Sequence, residues 1–203
     1  MEATAPLVGI LLAAGSGSRF GSDKLLHPLP DALPMAIAAA RRLRPACDRA
    51  VAVVRPDGGR LAEWLVDEGY EVVTRAAVRD GMGHSLAAGV GAAADAAGWL
   101  VALADMPFID PASHARVAQA LRGGARIVVP EYRGRNGHPV GFAREWGSRL
   151  AALAGDQGAR RIVAAFPEAV VRCALDDPGI VRDVDRPADL CERTWEHNAA
   201  HPG

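Results

Sequence analysis

Residues 7–14 form an apolar run too short for anything but a buried strand, and at Gly15 it breaks into glycine and serine before delivering Arg19 and Lys24. Glycines let a backbone approach a ligand closely, and consecutive free N–H groups form a nest that suits an anion. Two cations beside such a nest suit phosphate, which spreads more charge over more oxygens than a carboxylate does. A strand of this kind, ending in this kind of loop, points to a polyphosphate held at the strand's end.

Spacing separates the known glycine loops. A Walker A loop needs Gly-x-x-x-x-Gly-Lys-Ser/Thr, whereas here Gly15 is followed at Gly21 and Lys24 comes three residues later. A dinucleotide fingerprint needs Gly-x-Gly-x-x-Gly, a helix opening at once, and an acid about 20 positions on. The third glycine falls one place late, and Pro28, Pro30 and Pro34 exclude a helix through residues 28–34. The second apolar run also ends in Arg55-Pro56, with no acid placed to hold a ribose. The stretch from Leu12, Ala13, Ala14, Gly15, Ser16, Gly17, Ser18 and Arg19 through Lys24 instead resembles the L-A-A-G-x-S/G-x-R-M/F-G-x-x-K signature of nucleotidyltransferases. The likeness is to the MobA/MocA-like branch, which includes the molybdenum cofactor cytidylyltransferases.

The chain has 203 residues, half of them hydrophobic, enough for one well-buried domain. Its expected extent is 1–203, with a core over about 7–192 and a loose tail at 197–203. The net charge of −1, with both signs interspersed, argues against nucleic acid as a partner. Cys47, Cys173 and Cys191 lie far apart without a Cys-x-x-Cys pair, so neither a disulfide framework nor a zinc site follows, and reduced thiols in a cytoplasm are expected. The N-terminus lacks the basic start of a signal peptide, and no run approaches the roughly 18 apolar residues of a membrane span.

Helical patterns at 35–44, 61–68, 83–97 and 111–121 alternate with short apolar strands at 50–55, 71–74, 99–104 and 126–130. Such alternation predicts an α/β fold, a mostly parallel sheet with helices on both faces, and ligands at the carboxyl ends of its strands. Residues 131–142 read as a polar β ribbon leaving the sheet, 144–153 and 159–166 as short helices, and 169–174 as a late strand. The chain closes with a strand at 181–185 and a helix opened by Pro187 and running to about residue 196.

Asp105 tops an apolar strand and is followed by Met106-Pro107, which sets it on the sheet edge that carries Gly15 to Lys24. A carboxylate facing a polyphosphate needs a cation between them, and Mg²⁺ is the usual one. The segment is similar to the family's D-M-P motif, and the resemblance assigns Asp105 as a Mg²⁺ ligand. Residues 183–190 resemble the late D-I-D-T-P-x-D-L motif, with Arg186 in place of threonine. Alternation along a strand puts Asp183 and Asp185 on one face. Either can then be the second ligand, and Asp185 is preferred. Asp189 falls in a first helical turn, where it favours the helix dipole.

Residues 81–90 resemble a segment lining the base and ribose, which implicates Gly83, Ser85 and the free N–H groups of a helix start; His84 is assigned no role beyond the pocket rim. Residues 137–142 and 153–160 resemble the G-H-P-V-x-F and L-x-G-D-x-G-A-R segments of MocA-like proteins. By that resemblance His138, Pro139, Asp156 and Arg160 line the acceptor side, where His138 donates to an acceptor phosphate.

The resemblance implies in-line attack of an acceptor phosphate on the α-phosphorus of a nucleoside triphosphate. The catalytic group is then Lys24, Arg19 and Asp105, with Mg²⁺ on Asp105 and Asp185. The favoured substrates are CTP, because Ala14 stands where guanylyltransferases carry glycine, and a phosphorylated pterin; a molybdoenzyme receiving the cofactor is a further partner. The alternatives are GTP or another phosphorylated acceptor, and a non-catalytic chaperone for the cofactor.

Overall fold

β1 (Leu7–Ala13) is buried along its whole length, which is why its residues run apolar without alternating: both faces of the sheet are covered. In the computed structural model, residues 5–15, 24–76, 78, 81–156 and 158–190 are described. Ser16, Gly17, Ser18 and Arg19, and the tail at 197–203, lie outside the described residues.

β2 (Arg49–Val54) and β3 (Glu71–Thr74) add in parallel on one side of β1, and β4 (Gly98–Leu103) adds in parallel on the other. Ile10 stands opposite both Val51 and Val101. α1 (Met35–Leu43), α2 (Gly59–Asp67) and α4 (Pro111–Arg122) cover one face, packing on Leu7, Leu11 and Ala13. α3 (Met82–Ala92), α5 (Gly147–Ala151) and α6 (Arg160–Ala165) cover the other, against Val8, Ile10 and Leu12. The α/β sheet covered on both faces is the fold the alternation implied.

Three segments differ from expectation. The helix expected over 83–97 ends at Ala92, because Ala96 N–H bonds back to the Ala93 carbonyl and Ala97 N–H to that of Pro6, turning the chain straight into β4. The polar ribbon pairs with β5 (Ile127–Tyr132) as β6 (Arg135–Asn136). It then returns into the sheet as β7 (Val140–Ala143), antiparallel between β4 and β5. β8 (Val170–Ala174) lies parallel to β5. Residues 182–185 are not a strand but an irregular segment, and the described part of the last expected helix is a single 3-10 turn, Pro187–Leu190. Among the described residues no helix is long and apolar enough to cross a membrane.

Candidate active site

The sheet runs β3-β2-β1-β4, so the chain steps outward from β1 in both directions and a crevice opens beside its carboxyl end. Open α/β sheets bind ligands at such a switch point. Ala14 and Gly15 leave β1 there, and Ala104 N–H bonds to the Leu12 carbonyl at 3.1 Å, holding the end of β4 beside it. The next residue is Asp105, inside a turn that Met106 N–H closes on the Leu103 carbonyl at 3.2 Å.

Lys24 opens a 3-10 turn, Lys24–Leu26, whose Leu25 is buried in the core. Only 7% of Lys24 is exposed, and its ammonium donates to Asp105 Oδ2 at 2.9 Å and to Asp185 Oδ1 at 2.8 Å. Burial pulls the pKa of this lysine down, but the two carboxylates outweigh it and leave the pKa raised, so the ammonium is fully charged at neutral pH.

Asp185 reaches this point by its backbone. Val184 is fully buried against Leu29, Met35 and Ala38, and its N–H donates to the Asp105 carbonyl at 2.9 Å. The Asp189 carboxylate turns back to accept from the N–H groups of Asp185 at 2.9 Å and Arg186 at 2.7 Å. Asp189, in the first turn of the 3-10 helix Pro187–Leu190, thus also shapes the Asp185 turn. Residue 186 takes part in this turn through its main-chain N–H. Asp183 is exposed, while Asp185 meets Asp105 across Lys24.

Two carboxylates converging on one buried cationic atom are a hard-oxygen pair that suits a divalent cation. Among the described residues no cluster of three or more His, Cys, Asp or Glu could hold a metal. An ion here would draw its remaining ligands from water or phosphate oxygens, the usual arrangement for Mg²⁺.

Two cavities adjoin at this edge. The first, about 590 Å³, is walled by Ala14, Gly15, Lys24, Arg55, Asp57, Ser85 and Asp105. The second, about 1080 Å³, has an apolar floor that includes Val101, Val129 and Phe142, and a rim carrying Arg135, Asn136, His138, Arg160 and Arg161. Leu12, Met82, Leu103 and Asp156 border both. Of the expected ligand-side residues, Ala13, Gly83 and Pro139 are not on either wall. Ala13 faces the core on the α1–α2–α4 side of the sheet.

Gly83 has a different task. Its N–H, expected to be free at a helix start, donates to the Gly155 carbonyl at 2.7 Å, and Gly155 N–H donates to His84 Nδ1 at 3.2 Å. A Cβ on Gly83 would lie 2.8 Å from the carbonyl oxygens of Ala154 and Gly155. Residues 81–84 and 154–156, distant in sequence, therefore build one wall, and His84 is one of its pins. Ser85 lines the first cavity, with its Oγ 3.3 Å from the carbonyls of Val78 and Gly81. Its proton is committed to the main chain, and a lone pair remains for a ligand.

His138 follows the buried Gly137 and precedes a cis peptide to Pro139. Its N–H donates to the Ile180 carbonyl at 2.8 Å, and Nδ1 lies 3.4 Å from the Val101 carbonyl. Burial lowers its pKa more than Val101, Asp105 and Asp183 raise it, so the ring is neutral at pH 7. A ring nitrogen facing a carbonyl carries the proton, so Nδ1 donates to Val101 and Nε2 is an acceptor. The expected donation from His138 to a phosphate does not fit this tautomer.

The sequence matches the MobA-like NTP transferase domain over residues 9–171. The chain belongs to that family. The nicotine blue oxidoreductase of Paenarthrobacter nicotinovorans is 30% identical over 188 residues, covering 88% of this chain and 92% of that protein. The purine catabolism protein PucB of Bacillus subtilis is 27% identical over 194 residues, covering 90% and 93%. Among solved structures, Rv0371c of Mycobacterium tuberculosis superposes with a TM-score of 0.80 at 28% identity, covering 94% of this chain and 98% of that one. The same mycobacterial protein in complex with manganese gives a TM-score of 0.76 at 26% identity, covering 94% and 98%.

Beyond the residues expected at the site, the first cavity's wall in this MobA-like NTP transferase carries Arg55 and Asp57, which follow β2, and the rim of the second carries Arg135, Asn136 and Arg161. For Arg55 and Asp57 the signal was available: charged residues just past the carboxyl end of a parallel strand. For the other three, no local pattern separates a rim arginine from a solvated one.

Proposed function

We propose that this protein is a divalent-metal-dependent nucleotidyltransferase that moves CMP from CTP to the terminal phosphate of the molybdenum cofactor. The observation that carries the reading is the Lys24–Asp105–Asp185 cluster at the β1–β4 edge, beside two adjoining cavities. The first cavity takes the nucleotide, with the triphosphate at Ala14, Gly15 and Lys24; the second takes the acceptor.

An acceptor phosphate oxygen forms a bond to the α-phosphorus, the bond from that phosphorus to the bridging oxygen breaks, and pyrophosphate leaves with the electron pair. The attacking oxygen is already ionised, so no general base is needed, and catalysis rests on positioning and charge neutralisation. Asp105 and Asp185 would hold Mg²⁺ or Mn²⁺, which neutralises developing charge on the phosphoryl oxygens. Lys24 supplies a cation to the phosphates, and Arg19 a second. Arg160 on the far rim, joined by Arg135 and Arg161, attracts an anionic acceptor, and His138 Nε2 accepts from an N–H or O–H of the pterin. Asp156 borders both ligands. The Ala14 methyl narrows the base side and favours the pyrimidine.

The test is pyrophosphate release from CTP and GTP, with and without the purified cofactor, in Mg²⁺. CTP-dependent release that needs the acceptor and falls at least a hundredfold in Asp105→Asn supports the reading. Release from GTP alone moves the base assignment, and tight cofactor binding without release favours a chaperone. Ala14→Gly is expected to relax the CTP preference in direct competition.

A further inference from the structure

We propose that Lys24 keeps the Asp105–Asp185 pair closed to free divalent cations and gives it up only when a triphosphate takes the lysine over. The inference rests on the nucleotidyl-transfer reading for the identity of that displacing ligand, and on geometry for the rest.

The Lys24 ammonium lies 2.9 Å from Asp105 Oδ2 and 2.8 Å from Asp185 Oδ1, with only 7% of the residue exposed. A Mg²⁺ or Mn²⁺ held by Asp105 and Asp185 would take the place between their carboxylates, at shorter range than an ammonium. Ammonium and metal cannot both stand between these carboxylates, because they would be in contact and of like charge. A free cation must therefore expel a buried, charge-paired ammonium while gaining few protein ligands. No larger cluster of ligating side chains exists among the described residues to offset that loss.

A triphosphate changes both sides of the exchange. Its oxygens complete the coordination of the metal, and they are charge-assisted acceptors for the ammonium that must leave. The stem of Lys24 is fixed, since it starts from a turn anchored by the buried Leu25, while its head lies on the wall of the cavity shared with Ala14 and Gly15. A swing of the side chain carries the charge from the carboxylates to a phosphate bound there. Metal and nucleotide then bind with positive coupling, which by linkage each exerts on the other equally. Lys24 thus acts as an electrostatic latch as well as a phosphate contact.

The experiment measures Mn²⁺ affinity of the full chain with no nucleotide present, from the free-ion EPR signal. Lys24→Met is expected to bind Mn²⁺ at least ten times more tightly than the wild type. Lys24→Arg, which keeps the charge, should stay within threefold of wild type. Arg55→Gln removes a cation from the same cavity without opening the carboxylate pair, and should also stay within threefold. Adding Asp105→Asn to Lys24→Met should abolish the gain. Lys24→Met binding no more tightly than wild type overturns the proposal; so does an equal gain in Arg55→Gln, which would reduce the effect to net charge.

If Lys24→Met does not fold by circular dichroism, the wild type decides. The Lys24 side-chain NMR signal should move with Mg²⁺ and CTP together but not with Mg²⁺ alone, and a shift with Mg²⁺ alone overturns the proposal. Because the metal titrations contain no nucleotide or acceptor, they read the latch independently of whether pyrophosphate is ever released.

Discussion

The main-chain N–H of Val184 donates to the main-chain carbonyl of Asp105 at 2.9 Å. One hydrogen bond thereby fastens a late, irregular segment to the end of β4, where the carboxylates of Asp105 and Asp185 meet across Lys24. Val184 is completely buried, so the fastening is sealed from water, and the spacing of the two acids is set by backbone and core.

Asp189 sets the direction in which Asp185 points. Asp189→Ala is expected to lower kcat for pyrophosphate release about tenfold, the effect of roughly 1.4 kcal/mol of lost alignment, with the KM for nucleotide within twofold. Asp189→Asn should recover most of that loss, since its amide oxygen still accepts from the N–H groups of Asp185 and Arg186. Steady-state kinetics of both variants check this; equal losses would make the role one of charge.

The wall between the cavities depends on glycine. Gly81 has φ +128°, and a Cβ there would lie 2.5 Å from the Gly155 carbonyl carbon and oxygen. Gly81→Ala should destabilise the fold by about 1–3 kcal/mol from backbone strain alone and displace Asp156 from the border of the two cavities. Gly83→Ala meets only the clash and should weaken nucleotide binding with a smaller loss of stability. Gly91→Ala, in the same helix with nothing within 4 Å of the new Cβ, should stabilise by roughly 0.5–1 kcal/mol. Urea unfolding with nucleotide titration separates the three.

Asp177 joins the turn that holds His138 to α4. It accepts from Asp110 N–H at 2.9 Å, Ser113 Oγ at 2.6 Å and Gly179 N–H at 2.8 Å, and so fixes the turn whose Ile180 carbonyl receives the His138 N–H. Asp177→Ala is expected to cost about 1–3 kcal/mol, the penalty of stranded donors, and to raise the KM for the acceptor more than that for CTP. Thermal midpoints and paired KM values test it.

Buried His114 makes stability depend on pH. Burial pushes its pKa down to about 4, with Arg42 adding to the fall and Asp177 and Asp110 opposing it. The unfolded chain, with the ordinary value near 6.5, binds the proton first as pH falls. The stabilisation is thus complete above pH 6.5 and is lost progressively down to pH 4, by about 3 kcal/mol in all. In His114→Leu this share of the pH dependence should vanish, measured as urea midpoints at pH 7, 5.5 and 4.5. An unchanged slope would assign the acid sensitivity elsewhere.

The strands and most of the helices were legible because each carries its reason locally. β1 runs apolar because both its faces are covered, and Pro111 opens α4 behind Asp110, whose carboxylate caps the helix by accepting from Ala112 N–H at 2.7 Å. Asp105 could be placed at the carboxyl edge because Pro107 stops an apolar strand directly after it. The return of the ribbon as β7 was not legible: Val140–Ala143 pairs with β4 and β5, and a strand's neighbours are not written in its own residues. The reading of 181–185 as a strand failed for the same reason, since an alternating pattern shows that Val184 is buried but not that a ladder is there to receive it.

By itself the sequence determined the α/β alternation, the edge on which Ala14, Gly15 and Asp105 lie, and the kinds of residue that gather there, because these follow from short-range periodicity and from where glycine and proline halt it. Only the tertiary structure decided that the Lys24 ammonium stands between Asp105 and Asp185, that residues 81–84 and 154–156 form one wall, and that His138 presents an acceptor nitrogen. Each of those depends on groups brought together from distant parts of the chain, where distances of about 3 Å and the exclusion of water decide which charge pairs with which, and no local pattern encodes them.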